Sequence, residues 1–332
     1  MANSSFADVS LGDIADFRNG KAISPEKYTA GGKHPVFGSN GQIARSDEVL
    51  YPEPAIVIGR VGAYCGCVHY VPRASWVTDN AIVALPKDGN DIRYLFYLLG
   101  SLELQRTAIG SAQPLMTQGG LKVVRTKAPP LAEQKAIAAV LGALDDKIEL
   151  NRRMNATLEA MARALFQSWF VDFDPVRAKL DGRKPIGLDQ ATAALFPDSF
   201  QDSALGHIPK GWEVKTLGEV VELAYGKPLK AEDRKNGPVC VYGANGPVGW
   251  HNEKLVSGPG IVVGRKGNPG VVTWTHGDFY PIDTTFYVDP KGDCRSLYFL
   301  YYALSLHNLA NLSADSAVPG LNRNHADRKS VV

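Results

Sequence analysis

PPLAEQKAIAAVLGALDDKIELNRRMNATLEAMARALFQSWFVDFD, residues Pro129–Asp174, is the longest stretch of this chain that keeps one period without a break. Two prolines open it, a residue that cannot continue a preceding helix but tolerates a helix start. No further proline follows until Pro175. Ile137, Leu141, Leu144, Ile148, Asn151, Asn155, Leu158, Ala162, Leu165 and Trp169 recur in alternating steps of four and three. That rhythm is a coiled-coil seam. At 1.5 Å per residue, roughly 40 helical residues would span about 60 Å, which predicts a strut between two bodies. Asn151 and Asn155 occupy seam positions where leucine would stabilise more, a pattern that trades stability for register and partner choice.

The sequence on either side of the strut is a duplication. Leu11-Gly12-Asp13-Ile14 returns as Leu217-Gly218-Glu219-Val220, and Gly20-Lys21 as Gly226-Lys227. Phe37-Gly38-Ser39-Asn40-Gly41 returns as Tyr242-Gly243-Ala244-Asn245-Gly246, and the run Ile56–Gly62 as Ile261–Gly267. Leu11 to Leu217, Phe37 to Tyr242 and Ile56 to Ile261 are offsets of 206, 205 and 205, the mark of one internal duplication rather than a solenoid. The copies agree in their glycines and apolar frame and differ in the intervening loops. This predicts two binding faces of one kind with different targets.

The expected fold is mixed α/β, with two duplicated domains separated by a long coiled-coil-type helix. The expected segments are a first domain over 1–128, the spacer helix over 129–172, a connector over 173–211 and a second domain over 212–332. Short β-branched runs bounded by Gly, Pro or Asp predict strands at Ala55–Gly59, Tyr64–Tyr70 and Ala81–Leu85. Asp91–Thr107 carries a helical apolar face, and the connector shows only a short helical stretch around Gln190–Leu195.

Composition excludes little but points inward. The 332 residues are 45% hydrophobic and 21% charged, with a net charge of +2, which neither requires nor excludes nucleic acid. No apolar run reaches the roughly 18 residues of a membrane span, and MANSSFADVS lacks a secretory pattern, so a cytoplasmic protein is expected. Cys65, Cys67, Cys240 and Cys294 have neither metal-ligand nor disulfide-framework spacing. Phosphate-binding and dinucleotide loops and a G-x-S-x-G elbow are missing, and the seven histidines are scattered. The Asp145-Asp146 pair reads as the solvated face of the helix, and no catalytic residue is assigned.

Three pieces of this sequence together resemble the specificity (S) subunit of type I restriction–modification systems. They are the P-P-L-A-E-Q-K-A-I entry at Pro129–Ile137, the tail S-W-F-V-D-F-D-P-V-R-A-K at Ser168–Lys179, and the repeated L-G-[DE]-[IV] opening. G-R-K-P-I-G-L-D, A-A-L-F-P-D-S-F and I-P-K-G-W between Gly182 and Trp212 match as well. The resemblance covers residues 10–325. It implies a non-catalytic subunit with two target-recognition domains, each reading half of a split DNA site, and long helices that dock methyltransferase subunits. S-adenosylmethionine, ATP and magnesium would then belong to partner subunits, the restriction/translocase subunits included.

Base edges are read by Arg, Lys, Asn, Gln or Ser on loops, with other cations on phosphate. The candidates for DNA contact are therefore the recurring loop residues: Lys21 and Lys227; Ser39, Asn40 and Asn245; Arg60, Arg265 and Lys266. Ser111, Gln113, Asn322 and Arg323 beside the S-A-x-P loops complete the set. Recurrence fits scaffold equally well, since Asn before Gly suits a left-handed turn. The chain departs from the family pattern at its end: no second P-P-L-x-E-Q helix follows Ala326, and DRKSVV reads as an out-of-frame or truncated terminus. An inactive truncated S allele and a free-standing homodimeric DNA-binding regulator are the competing expectations. An exposed seam would favour association.

Overall fold

The computed structural model describes residues 6–110, 114–292, 294–314 and 320–331. The chain divides into two compact units, Met1–Met154 and Asn155–Val332. One helix, Leu131–Phe170, begins in the first and ends in the second, and it is the 40-residue element the 4-3 rhythm predicts. Among the described residues no helix is long and apolar enough to cross a membrane.

The first unit is built around Ala55–Gly59, all five residues of which are buried. This strand pairs antiparallel with both Ala81–Pro86 and Val68–Val71, and Ala15–Asn19 completes a four-stranded sheet. Alternation along the strand sends Ile56 and Ile58 into one core with Leu95, Leu99, Leu104 and Leu121. Ala55 and Val57 turn to the other side, with Val71, Val77 and Val83. A continuous apolar run is what burial on both faces requires. A three-stranded sheet holds Gly41–Ser46, His34–Gly38 and Trp76–Val77, the last pair parallel.

The second unit repeats this plan. Val221–Tyr225, Thr285–Pro290, Gly260–Gly264 and Val272–Thr275 form a four-stranded sheet in the equivalent order. Gly246–His251, Val239–Gly243 and Phe279–Pro281 form the three-stranded one, again with its last pair parallel.

The L-G-[DE]-[IV] motif is a single helical turn closed by a capping box. Ser10 donates through its backbone N–H and hydroxyl to Asp13 (both 2.7 Å), and Thr216 likewise to Glu219 (2.6 and 2.7 Å). These bonds hold the Asp13 and Glu219 carboxyls below their ordinary pKa. Leu11 and Leu217 are fully buried beneath the turn.

Each opening turn is tied to a closing strand. Leu11 N–H donates to Val124 O (2.9 Å) and Leu217 N–H to Lys329 O (2.7 Å). Ala7–Ser10 then pairs antiparallel with Arg125–Ala128, and Lys215–Thr216 with Ser330–Val331. Within the stretch DRKSVV, Ser330–Val331 takes the place in the second unit that Arg125–Ala128 takes in the first.

Four expectations change. The predicted strand Tyr64–Tyr70 is shortened to Val68–Val71, because Gly62–Tyr64 forms a tight 3-10 turn and Gly66 adopts a left-handed φ of 89°. The helix expected over Asp91–Thr107 runs Ile92–Ser101 and continues as a separate 3-10 turn, Leu104–Thr107. The connector is more ordered than its composition suggests. It holds a helix at Asp174–Leu180, another at Gln190–Ala194 and a hairpin of Phe200–Ser203 with Gly206–Pro209. Phe173, Val176 and Phe196 pack there with Trp169, Phe200 and Trp212, so aromatic burial does what periodicity could not announce.

The fourth correction concerns Asp145 and Asp146, which are not merely a solvated face. Asp146 holds Arg93 (2.6 Å) and Asp145 accepts from the Tyr97 hydroxyl (2.7 Å). They fasten the long helix to the helix Ile92–Ser101.

Candidate nucleic-acid interface

In each unit the candidate residues gather at one cluster of loops, joined by backbone hydrogen bonds. In the first, Lys21 N–H donates to Val77 O, Thr78 N–H to Phe37 O and Arg60 N–H to Asn80 O, at 2.8–3.0 Å. The end of Ala15–Asn19, the turn Gly38–Gly41, the exit from Ala55–Gly59 and the segment Thr78–Asn80 thereby meet. In the second, Lys227 N–H donates to Pro281 O, Ile282 N–H to Tyr242 O and Arg265 N–H to Thr284 O, at 2.9–3.1 Å. The same loops meet in the same way.

Glycine makes the close approaches possible. A Cβ on Gly20 would stand 2.1 Å from Thr78 O, and one on Gly226 2.2 Å from Ile282 O. Gly59 and Gly264 would collide equally with Tyr64 O and Asn268 O. At Gly41 (φ 87°) and Gly246 (φ 102°) the turn demands a left-handed residue. Asn40 and Asn245 precede these glycines and are exposed.

The arginines owe part of their recurrence to the scaffold. Arg60 Nη1 donates to Asp79 O (3.0 Å), and Arg265 Nη1 to Asp283 O (3.1 Å), one bond repeated in both copies. Ser39 is also a fastener, donating to Asn80 O (2.5 Å) and accepting from Val61 N–H (3.3 Å). Asn245 accepts from the Asn268 side chain. Lys21, Lys227 and Lys266 are exposed at the rim.

Asn322 caps the short helix Arg323–Asp327 by accepting from Asn324 N–H (3.0 Å). Arg323 lies 5.4 Å from the Tyr225 ring centroid and 4.0 Å from Asp327. Ser111 and Gln113 lie outside the described residues.

Sequence reasoning passed over Tyr225, whose ring lies 4.8 Å from the Arg265 guanidinium as well as beside Arg323. Its signal was its place immediately before the recurring Gly-Lys pair. Among the described residues no group of three or more His, Cys, Asp or Glu side chains could hold a metal. The chemistry these clusters offer is hydrogen-bond donation and acceptance from loops on a rigid sheet, with cations at the edge.

The seam of the long helix is the other candidate surface. Leu141, Leu144, Ile148, Leu158 and Leu165 are exposed, as are Asn151 and Asn155, while Ile137 and Trp169 are partly covered. A different stripe, Gln134, Ala138 and Gly142, faces the first unit's own body and is buried. Leu150, Met154 and Met161 add to the exposed apolar surface.

Comparison with known proteins gives these features a context. Over 158 residues the chain is 34% identical to the type I restriction enzyme MjaIX specificity subunit of Methanocaldococcus jannaschii, covering 46% of this chain and 31% of that one. Over 311 residues it is 26% identical to the HindI specificity subunit of Haemophilus influenzae, covering 74% of this chain and 65% of the relative. The chain thus spans less than two thirds of the length of either relative. Its fold matches the crystal structure of a type I restriction–modification S subunit from M. genitalium, with a TM-score of 0.57 at 20% identity, over 100% of this chain and 85% of that one. The model of the type I restriction modification DNA specificity domain matches residues 3–160 and 209–325, which takes in both loop clusters and most of the long helix, and the chain belongs to that family.

Proposed function

We propose that this chain is the DNA-specificity subunit of a type I restriction–modification complex, reading a split and asymmetric duplex site. Each loop cluster reads one half-site, and the exposed stripe of the long helix docks methyltransferase subunits. Methyl transfer, ATP-driven translocation and cleavage then fall to partner subunits, which carry S-adenosylmethionine, ATP and magnesium, in the cytoplasm. The observation that carries this reading is the recurrence of one loop scaffold with different side chains. Ser39 stands where the second copy has Ala244, and Tyr64 where it has Asn268. Equivalent frames with unequal side chains suit two different half-sites.

The test is co-expression with the cognate methyltransferase subunit, mass determination, and selection from a random duplex pool. Enrichment of a split, asymmetric sequence is the expected result. Enrichment of a palindrome by the chain alone would favour the homodimeric regulator instead.

A further inference from the structure

The backbone bonds align the two loop clusters residue by residue. Met116 N–H donates to Arg60 O and Leu321 N–H to Arg265 O, both at 2.8 Å. Gly20 N–H donates to Ala81 O (3.0 Å), and Gly226 N–H to Thr285 O (3.1 Å). In that register, Asn19, Arg60 and Gln118 of the first unit occupy the places of Tyr225, Arg265 and Arg323 in the second. The first member ends a sheet strand, the second leaves the buried central strand, and the third opens a short helix after the bonded Met116 or Leu321.

Only the middle member is the same in both units, and it makes the same carbonyl bond to Asp79 or Asp283. The other two change chemistry while the backbone stays. In the first unit both are amides, and their side chains lie 3.2 Å apart. With its amide turned to suit its neighbours, Gln118 donates to Phe17 O (3.1 Å) and accepts from Asn19 N–H (3.0 Å). In the second unit Tyr225 is 50% exposed and its ring meets two guanidiniums, those of Arg265 and Arg323, at 4.8 and 5.4 Å from its centroid. Arg323 also lies 4.0 Å from Asp327, and Arg265 5.8 Å from the Phe286 ring centroid.

We propose that this three-residue set is where the base preferences of the two units diverge, the amides of the first reading adenine and the guanidiniums of the second reading guanine. An amide donates and accepts, which matches N6 and N7 of adenine, whereas a guanidinium offers paired donors to O6 and N7 of guanine. The aromatic ring that both arginines contact keeps them in place with little loss of side-chain freedom on binding. The inference rests on the proposed function and names the specificity residues within it.

The experiment grafts one set onto the other unit. The full chain carrying Asn19→Tyr and Gln118→Arg, co-expressed with the methyltransferase subunit, is put through selection from a random duplex pool beside the unaltered complex. The expected result is a change from A·T to G·C at one or two positions of a single half-site, with discrimination of about tenfold or more and the other half-site unchanged. Should the double variant lose its melting transition, Gln118→Ala and Arg323→Gln decide the matter in the same selection, each relaxing preference in its own half-site only. An unaltered complex that selects a split site, with variants that keep every base preference or weaken binding equally across all sequences, overturns this inference alone. An unaltered complex that selects no sequence overturns the proposed function and this inference together.

Discussion

Gln134 explains the E-Q of the motif that opens the long helix. It is 2% exposed, and its amide makes three hydrogen bonds: from Asp91 N–H (2.9 Å), to Asn90 Oδ1 (3.0 Å) and to Pro129 O (2.9 Å). A buried amide is tolerable only when satisfied in this way. Gln134→Ala leaves the Asp91 N–H and the Pro129 carbonyl without that partner. The expected cost is about 3 kcal/mol, a fall in melting temperature of roughly 6–12 °C for a unit of this size; an unchanged melt would refute the role. Two histidines supply a pH dependence. Burial pushes the His69 pKa below its ordinary value, and burial reinforced by the Lys329 charge does the same to His307. Each ring is therefore more easily protonated in the unfolded chain. The stability that the neutral rings provide is complete above the unfolded value of about 6.5 and is lost as pH falls through the lower folded value. Melting curves at pH 7.5 and 5.5 should show destabilisation in acid, and His69→Gln with His307→Gln should flatten that difference.

The long helix shows which parts of the fold can be read from sequence and which cannot. Its existence, length and apolar period were legible because consecutive positions on one face carry the signal, and the duplication was legible because glycine recurs wherever backbones touch. The stripe that fastens the helix to its own unit was not legible, since it is made of Gln134, Ala138, Gly142 and the Asp145-Asp146 pair, none strongly apolar. Gly142 belongs there because a Cβ would come within 2.5 Å of the Arg93 guanidinium. The connector was missed for the opposite reason: its core is a few aromatics far apart in sequence. Asn19 and Tyr225 stand immediately before the recurring Gly-Lys pair, at the offset of 206, and Gln118 and Arg323 lie 205 apart, but because the paired side chains differ, only the hydrogen-bonded frame and the contacts of the Tyr225 ring group them as one set. The two stripes of the helix make a clean prediction. Leu144 and Ile148 are 58% and 49% exposed, so Leu144→Glu with Ile148→Glu should move stability by less than about 1 kcal/mol in the isolated chain. The same pair should abolish co-purification with the methyltransferase subunit, because two charges would be buried unpaired in the interface. Intact assembly in a mass measurement would exclude the seam as the docking face.

For the molecule as a whole, two similar units on one chain imply that affinity and specificity are separable. Lys21 and Lys227 recur at the rim of the two clusters, both exposed, each fixed through its own backbone N–H to a carbonyl of its own unit, Val77 and Pro281. A lysine on a flexible stem, a compact charge without a fork, suits a phosphate better than a base edge. With such a cation replaced, one fewer condensed counterion is released on binding, so the slope of log K against log salt should become shallower by about 1 for each phosphate no longer neutralised. Lys21→Ala and Lys227→Ala should each produce that change, and the double variant should produce about twice it, because separate loop clusters without shared partners act additively. Sequence preference in the selected pool should stay as it was in all three. Binding isotherms of the assembled complex between about 50 and 200 mM salt, the range over which phosphate neutralisation dominates, would read the slopes directly. Should either lysine instead relax the preference at one base pair, it belongs with the side chains that read base edges. The asymmetry between units would then extend to the rim, where the two copies carry the same residue.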